Sequence, residues 1–409
     1  MMWLTSKSLR FLSNVKYSNP LAALVVLMAV AILALLPNVN AQPLPDTPTV
    51  QLESSPQWQQ TLADAKGETV YFYAWGGSKP INDYLRWAAR EIASRYNVRL
   101  RHVKVADISE AVSRLKAEDG SKSAIDLLWV NGENFSYLKE QRLLLGKLWS
   151  SIPNSALLAT QKLPLKNDFG VPIEGFEVPW GVGQFNIIAD EGLLGESEQN
   201  TVTSSIILAA AKQNPGRISY PRPPEFHGTT FLKQLLVDLS NKDKRLYSAA
   251  TSQAQDDLLP LLWDYLDQLH PLSWQKGNAF PSSNTEQLSL FQQKQFVLAV
   301  SFNPNEMAKE KNEKRIPTTS QRLYFAQGAI TNSHNLAIPK AAQNSAGAKV
   351  VINFLLSELA QKQKLNGSWG DPSVITPLLD EASTLPAQQE LHSSWQQVIE
   401  DKWQQKYGA

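Results

Sequence analysis

From Trp58 onward the apolar positions change their spacing in a regular alternation. Val70-Tyr-Phe-Tyr-Ala-Trp75 is a short apolar run of strand type. Beyond Gly76-Gly77-Ser78 the residues Tyr84, Leu85, Ala88, Ala89 and Ile92 recur at helical spacing, predicting a helix over 81–96. Residues 98–105 alternate apolar and basic side chains, a second strand. A helix from Asp107, capped by that carboxylate, carries Ile108, Ala111, Val112 and Leu115 on one face. Ile125-Asp-Leu-Leu-Trp-Val130 is of buried-strand type. This β-α-β-α-β order predicts an α/β fold with a parallel sheet and helices on both faces.

The chain is too long for one such layer, so two lobes are expected. The second begins near Glu177-Val-Pro-Trp-Gly181, where Pro and Gly punctuate the entry to an apolar strand over 184–189. It continues through 206–213, the Pro-rich segment Tyr220 to Glu225, a helix over 229–239 and a strand over 296–302 that ends in Asn303-Pro304. Asn335-Leu-Ala-Ile-Pro339 reads as a strand returning to the first lobe, with a helix over 348–361 after it. Trp395, Ile399 and Trp403, four residues apart, form the buried stripe of a closing helix. The expected division is 58–178 with 328–362 for lobe 1, 179–327 for lobe 2, and 363–409 as helices packing on the lobes.

Ahead of these lies a segment for targeting. Lys7, Arg10 and Lys16 precede an uncharged apolar stretch from Leu21 to Leu36, and Pro37 and Val39-Asn40-Ala41 follow it, the pattern of a secretory leader cleaved near Ala41. A leader retained as an anchor is the alternative. With cleavage, 1–41 is signal peptide, 42–57 a Pro-rich extended tether, and the mature protein periplasmic.

Charge and composition remove several function classes. Lys and Arg number 39 against 38 Asp and Glu, so no basic field marks a nucleic-acid binder. Hydrophobic residues make up 43% and charged residues 19%, enough to bury large cores. Cysteine is absent, which excludes disulfides, thiolate metal sites, a thiol nucleophile and lipid attachment after the leader. The five histidines lack ligand spacing, and no nucleophile elbow, zinc-protease motif or phosphate-binding loop is present. No catalytic residue, metal or cofactor is therefore assigned.

The candidates are binding residues. Ligands of open parallel sheets sit beyond the carboxyl ends of strands. Trp75, Gly76, Gly77 and Ser78 occupy that place, although Gly-Gly could equally serve only the turn. Asn131 and Asn134 follow the strand ending at Val130, where helical spacing after Asn-Gly argues against a hairpin. Thr229 and Thr230 open a helix whose N-terminus could hold an anion or simply be capped by them. Trp180, Trp274 and Asn303 adjoin the crossing or a strand end, and Glu177 would suit a cation.

Five stretches carry a resemblance: Tyr71-Phe-Tyr-Ala-Trp-Gly-Gly77, Leu128-Trp-Val-Asn-Gly-Glu-Asn-Phe135, Gly175-Phe-Glu-Val-Pro-Trp-Gly181, Tyr220-Pro-Arg-Pro-Pro-Glu-Phe226 and Asn335-Leu-Ala-Ile-Pro339. With the leader and the two-lobe pattern, the chain resembles the periplasmic solute-binding components of ABC importers, extracellular solute-binding protein family 1, near the thiamine, iron and polyamine binders. The resemblance implies a two-lobed, type II periplasmic-binding-protein fold with a hinge and a cleft at strand ends. It implies a small-molecule solute and, as partners, a membrane permease and its ATPase. The tyrosine set that grips iron in some relatives has no counterpart here. Stacking on Trp75 and Trp180 suits a small organic solute, and Glu133 and Glu177 with the helix N-termini suit one that is cationic or zwitterionic, of thiamine or polyamine type. A secreted hydrolase using carboxylates and an envelope scaffold remain the other readings.

Overall fold

Ser55 accepts the Trp58 N–H and starts helix α1 (Pro56–Asp64), two residues inside the segment expected to be a tether. The computed structural model describes residues 53–105, 107–118, 120, 122–130, 132–191, 200–379 and 386–408. The expected leader, the tether as far as 52, and Asn131 lie outside the described residues.

The first sheet follows the predicted alternation. Strand β1 (Thr69–Trp75) leads into α2 (Lys79–Tyr96), β2 (Arg99–Val105), α3 (Ser109–Ala117), β3 (Leu127–Val130) and α4 (Glu133–Glu140). Strand β1 pairs in parallel with β2 on one side and β3 on the other. Asp107 accepts the Ser109 N–H at 2.8 Å, but the helix begins at Ser109 and the cap position is Ile108, which makes no side-chain cap bond, so the expected start at Asp107 is two residues early.

A short helix α5 (Leu148–Ser151) and a small hairpin, β4 (Asn167–Asp168) with β5 (Val171–Pro172), precede β6 (Val178–Gln184). The second sheet draws on β7 (Asn186–Ala189), β8 (Thr201–Val202), β9 (Leu298–Ser301) and β10 (Gln321–Phe325). Helices α6 (Ser204–Gln213), α7 (Phe226–Leu239), α8 (Ser252–Leu269), α9 (Asn284–Gln292) and α10 (Glu306–Asn312) accompany these strands. Strand β11 (Ala329–Ala337) returns to the first sheet, followed by α11 (Ser345–Leu355), α12 (Glu358–Asn366), β12 (Ala387–Gln389) and α13 (Ser393–Tyr407). The first sheet runs β12-β11-β3-β1-β2 with β6 also on β11; the second runs β8-β10-β7-β9. Each sheet has its own large apolar core.

The first crossing lies later than 179. Strand β6 pairs with β11 from Val178 to Gln184, and Val178, Trp180 and Val182 pack in the first core. Its glycines are not linker signals. A Cβ on Gly181 would stand 2.3 Å from Asp371 Oδ2, and one on Gly183 would stand 2.1 Å from the Phe302 ring, so close neighbours require them. The chain leaves the first sheet between Gln184 and Asn186. The helix expected over 348–361 is two helices, because Ser357 accepts the Ala360 N–H and caps α12. Helix α13 inserts Trp395, Ile399 and Trp403 into the second core. There Trp403 Nε1 donates to Tyr220 Oη at 2.8 Å, and Trp395 Nε1 to the Ser248 carbonyl at 3.1 Å.

Candidate functional site

The carboxyl ends of β1 and β3, the middle of β11 and the loop before β12 face the start of α7 and the turn from β9 into α10. Between them lies a cavity of about 330 Å³. Trp75 and Trp129 enter it from the first sheet, Trp369 from the 367–371 loop, and Phe226 and Phe302 from the second lobe. Trp75 is 46% exposed and Phe226 38%, so each leaves part of its ring open to the gap, from opposite lobes. Trp129 and Trp369 stand 5.9 Å apart, and Phe226 meets Phe302 edge-on at 4.9 Å.

Two carboxylates reach this cavity. Burial pushes the Glu306 carboxyl up, only partly offset by the hydrogen bond it accepts from Ser301 Oγ. Asp371 is buried in a fixed network. Lys364 Nζ donates to its Oδ2 at 2.6 Å and to the carbonyls of Trp180 (2.8 Å) and Pro372 (2.9 Å), and His334 Nε2 lies 3.3 Å from Oδ1. Burial opposes the Asp371 charge, but Lys364 and then His334 outweigh it and hold the carboxyl below its ordinary range. His227 lines the cavity too, with Nδ1 2.9 Å from Glu225 Oε1.

The cleft continues on both sides. Through Asn303 and Trp369 it opens into an outer chamber of about 690 Å³ bounded by Lys79, Asn305, Lys309 and Asn312. Beyond Phe226 it meets a recess of about 290 Å³ formed by Asp107, Gly132, Asn134, Phe169, Ser393 and Gln396.

The expected site residues divide accordingly. Trp75 and Asn303 line the central cavity and Asn134 the recess. Gly76 and Gly77 meet packing demands: a Cβ would stand 2.6 Å from Lys104 Cβ at Gly76 and 2.5 Å from the Trp75 ring at Gly77. Ser78 occupies the cap position of α2 without a side-chain bond to the helix.

Trp180, Glu177, Thr229, Thr230 and Trp274 are corrections. Trp180 is fully buried and meets Trp129 edge-on at 5.2 Å in the first core. Glu177 is fully buried, and burial, reinforced by Asp168, pushes its carboxyl well above the ordinary range, favouring a neutral acid rather than a cation partner. Helix α7 starts a turn earlier than expected because Glu225 caps it, accepting the Gly228 N–H at 3.0 Å. Thr229 and Thr230 are therefore interior, donating to Glu400 at 2.9 Å and to the Phe226 carbonyl at 2.7 Å. The same Glu225 charge occupies the helix N-terminus where an anion was considered. Trp274 packs on Phe296 in a separate cluster.

Trp129, Phe226, Phe302, Glu306, His334, Trp369 and Asp371 were not foreseen. Trp129 and Phe226 stood inside motifs already singled out, and Gly367-Ser-Trp-Gly-Asp371 is an aromatic, Gly-flanked loop of the kind that signalled Trp75. Among the described residues no group of three His, Cys, Asp or Glu is placed to hold a metal ion. No described helix is long and apolar enough to cross a membrane.

Comparison with known proteins places this architecture. Protein YnjB of Escherichia coli (strain K12) is 40% identical over 369 residues, spanning 86% of this chain and 94% of YnjB. The spermidine/putrescine ABC transporter substrate-binding protein PotD from Streptococcus pneumoniae is 16% identical with a TM-score of 0.57, over 83% of this chain and 96% of that one. The periplasmic binding protein AfuA from Actinobacillus pleuropneumoniae, solved with fructose-6-phosphate, is 15% identical with a TM-score of 0.56, over 83% and 99%. At these identities the two solved structures speak for the fold, a two-lobed type II binding-protein architecture. The sequence profile described as bacterial extracellular solute-binding protein matches residues 87–388. The chain belongs to the bacterial extracellular solute-binding protein family.

Proposed function

We propose that the protein captures a small organic solute, cationic or zwitterionic and of thiamine or polyamine type, between its lobes. It then delivers the solute to the permease of an ABC importer, energised by that importer's ATPase. The mature protein works in the periplasm after removal of 1–41. The observation that carries the reading is one cavity lined from opposite lobes by the partly exposed rings of Trp75 and Phe226, with the Glu306 carboxylate beside them. Ring faces attract cations by roughly 0.5–2 kcal/mol each, and a desolvated carboxylate adds a charge-assisted contact. Asp371 is tied to Lys364 and His334, which favours binding over two-carboxylate hydrolysis.

Native mass spectrometry of protein purified from the periplasm tests this directly. A mass beginning at Gln42 with a bound organic solute is expected. Trp75→Ala should weaken that solute roughly 2- to 30-fold in a fluorescence titration, the loss of one ring face. Unchanged affinity would place the solute elsewhere. A second expectation concerns pH. Because burial raises the Glu306 carboxyl above its ordinary range, affinity for a permanently charged solute should be full above that titration and fall as the pH drops through it. A flat affinity profile across the acid range would remove Glu306 from the site.

A further inference from the structure

We infer that Asn305 is a positioning residue that latches the two lobes to each other across the cleft, by a bond that needs no solute. The inference is independent of what the solute is. Asn305 stands at the cap position of α10, where an asparagine side chain ordinarily accepts an N–H of its own helix. Here it makes no such bond. Its amide reaches the other lobe instead: Asn305 Nδ2 donates to the Gly370 carbonyl at 2.8 Å, and beside it Asn303 Nδ2 stands 3.5 Å from the Trp369 carbonyl. A contact that would serve only α10 is replaced by one between lobes.

Both ends of the bond are firmly held. In the second lobe the Pro304 carbonyl accepts from Arg322 Nη1 of β10 at 2.7 Å, and the Asn303 N–H donates to Ser301 Oγ of β9 at 3.1 Å. The Asn305 N–H donates to Asn303 Oδ1 at 2.9 Å, and Glu310 of α10 accepts from Gln292 at the end of α9 at 2.9 Å. In the first lobe Gly370 lies between two anchors. Trp369 meets Trp180 at 5.3 Å and Tyr84 at 5.4 Å against the first core, and Asp371 is paired with buried Lys364 at 2.6 Å. A bond between two such supports restrains lobes rather than loops.

Its place in the cleft gives it leverage. Asn303 and Trp369 line both the central cavity and the outer chamber, whereas Gly183 and His334 line the cavity from β6 and β11, the strands that adjoin the chain crossings. The cavity thus has covalent connections at one boundary and the Asn305 bond at another. Because the bond is made of the protein's own atoms, it raises the fraction of molecules in which both lobes line the cavity, and the apparent affinity for any solute scales with that fraction.

The test measures lobe separation in the protein with no solute added. The chain has no cysteine, so Arg90→Cys on α2 and Gln293→Cys just after α9 supply two exposed labelling sites, one on each lobe. The protein is unfolded in guanidinium, dialysed, refolded and spin-labelled, and double electron–electron resonance reads the distance. One dominant separation is expected in the parent. Asn305→Ala should lower the ratio of joined to separated lobes roughly 2- to 10-fold, the worth of one neutral hydrogen bond. Asn305→Asp lacks the donor but is a good helix cap, so it should lower the ratio at least as much while keeping α10. An unchanged distribution in both variants would overturn the inference, as would a parent without a dominant separation. A lower urea midpoint at unchanged separation would overturn it too, marking Asn305 as a packing residue. Since no solute enters the measurement, failure of the proposed solute class leaves this result standing.

Discussion

Replacing Lys364 with methionine is expected to destabilise the folded protein by about 3–5 kcal/mol, the cost of leaving a buried carboxylate without its partner. Lys364 and Asp371 are both buried, and the lysine also donates to two carbonyls; the substitution leaves Asp371 with His334 alone and removes the lysine's bond to the Pro372 carbonyl, while the Trp180 carbonyl keeps Gln361. The loss should depend on pH. Asp371 now sits below the ordinary carboxylate range, so its stabilising effect is present above the unfolded carboxylate titration and is lost as the pH falls through the folded one. Without Lys364, burial reverses that direction, and the variant should lose more stability at pH 8 than at pH 5. Urea denaturation at several pH values reads this out. The Lys364→Met, Asp371→Asn double variant should recover part of the loss, and strictly additive single effects would show that the pair is not coupled. Solute binding should move oppositely where Asp371 is ionised: at high pH a variant still folded has Asp371 held by His334 alone beside the cleft and should hold a cation more tightly.

The second large effect has the other sign. Asp168 is fully buried and accepts the Gly132 N–H at 2.5 Å, yet burial, assisted by Glu390, pushes its carboxyl up to about 8. The folded state thus holds a proton that the unfolded chain has released, so stability falls as the pH rises from about 4 to about 8 and then levels. Asparagine keeps an acceptor for Gly132 and has no proton to lose. Asp168→Asn is expected to match the parent near pH 4 and exceed it at pH 8 by on the order of 2–5 kcal/mol. Parallel stability curves for the two proteins would show that Asp168 is ionised in the fold.

The strands and crossovers of the first sheet were legible because buried parallel strands write themselves as apolar runs and their helices as periodic stripes. The place of Trp75 at a strand end beside the cavity was legible by the same logic, since a strand end can be counted along the chain. The other half of the central cavity was not. Phe226, Glu306 and Trp369 meet Trp75 only after the chain has crossed between sheets, and sequence spacing carries no record of that encounter. Trp180 was misjudged because alternation tells which residues share a face of a strand but not what covers that face. Gly181 misled the boundary for a related reason: a glycine demanded by a neighbour's approach looks the same in sequence as one that frees a linker. Thr229 and Thr230 lost the helix start to Glu225, the last residue of the Pro-rich segment and the carboxylate that caps the helix.

The late position of α13 sets the order in which this molecule can mature. The chain passes from the first sheet to the second after Gln184, back before Ala329, and over again into α13 beyond β12. The second core therefore lacks Trp395 and Trp403 until residues near 400 have been made, and the first lacks β11 for some 330 residues. A nascent chain stays short of either finished core through most of its synthesis, the stage at which exposed apolar surface leaves a polypeptide open to misassembly. The interleaving thus leaves both cores unfinished until almost all of the chain has been made.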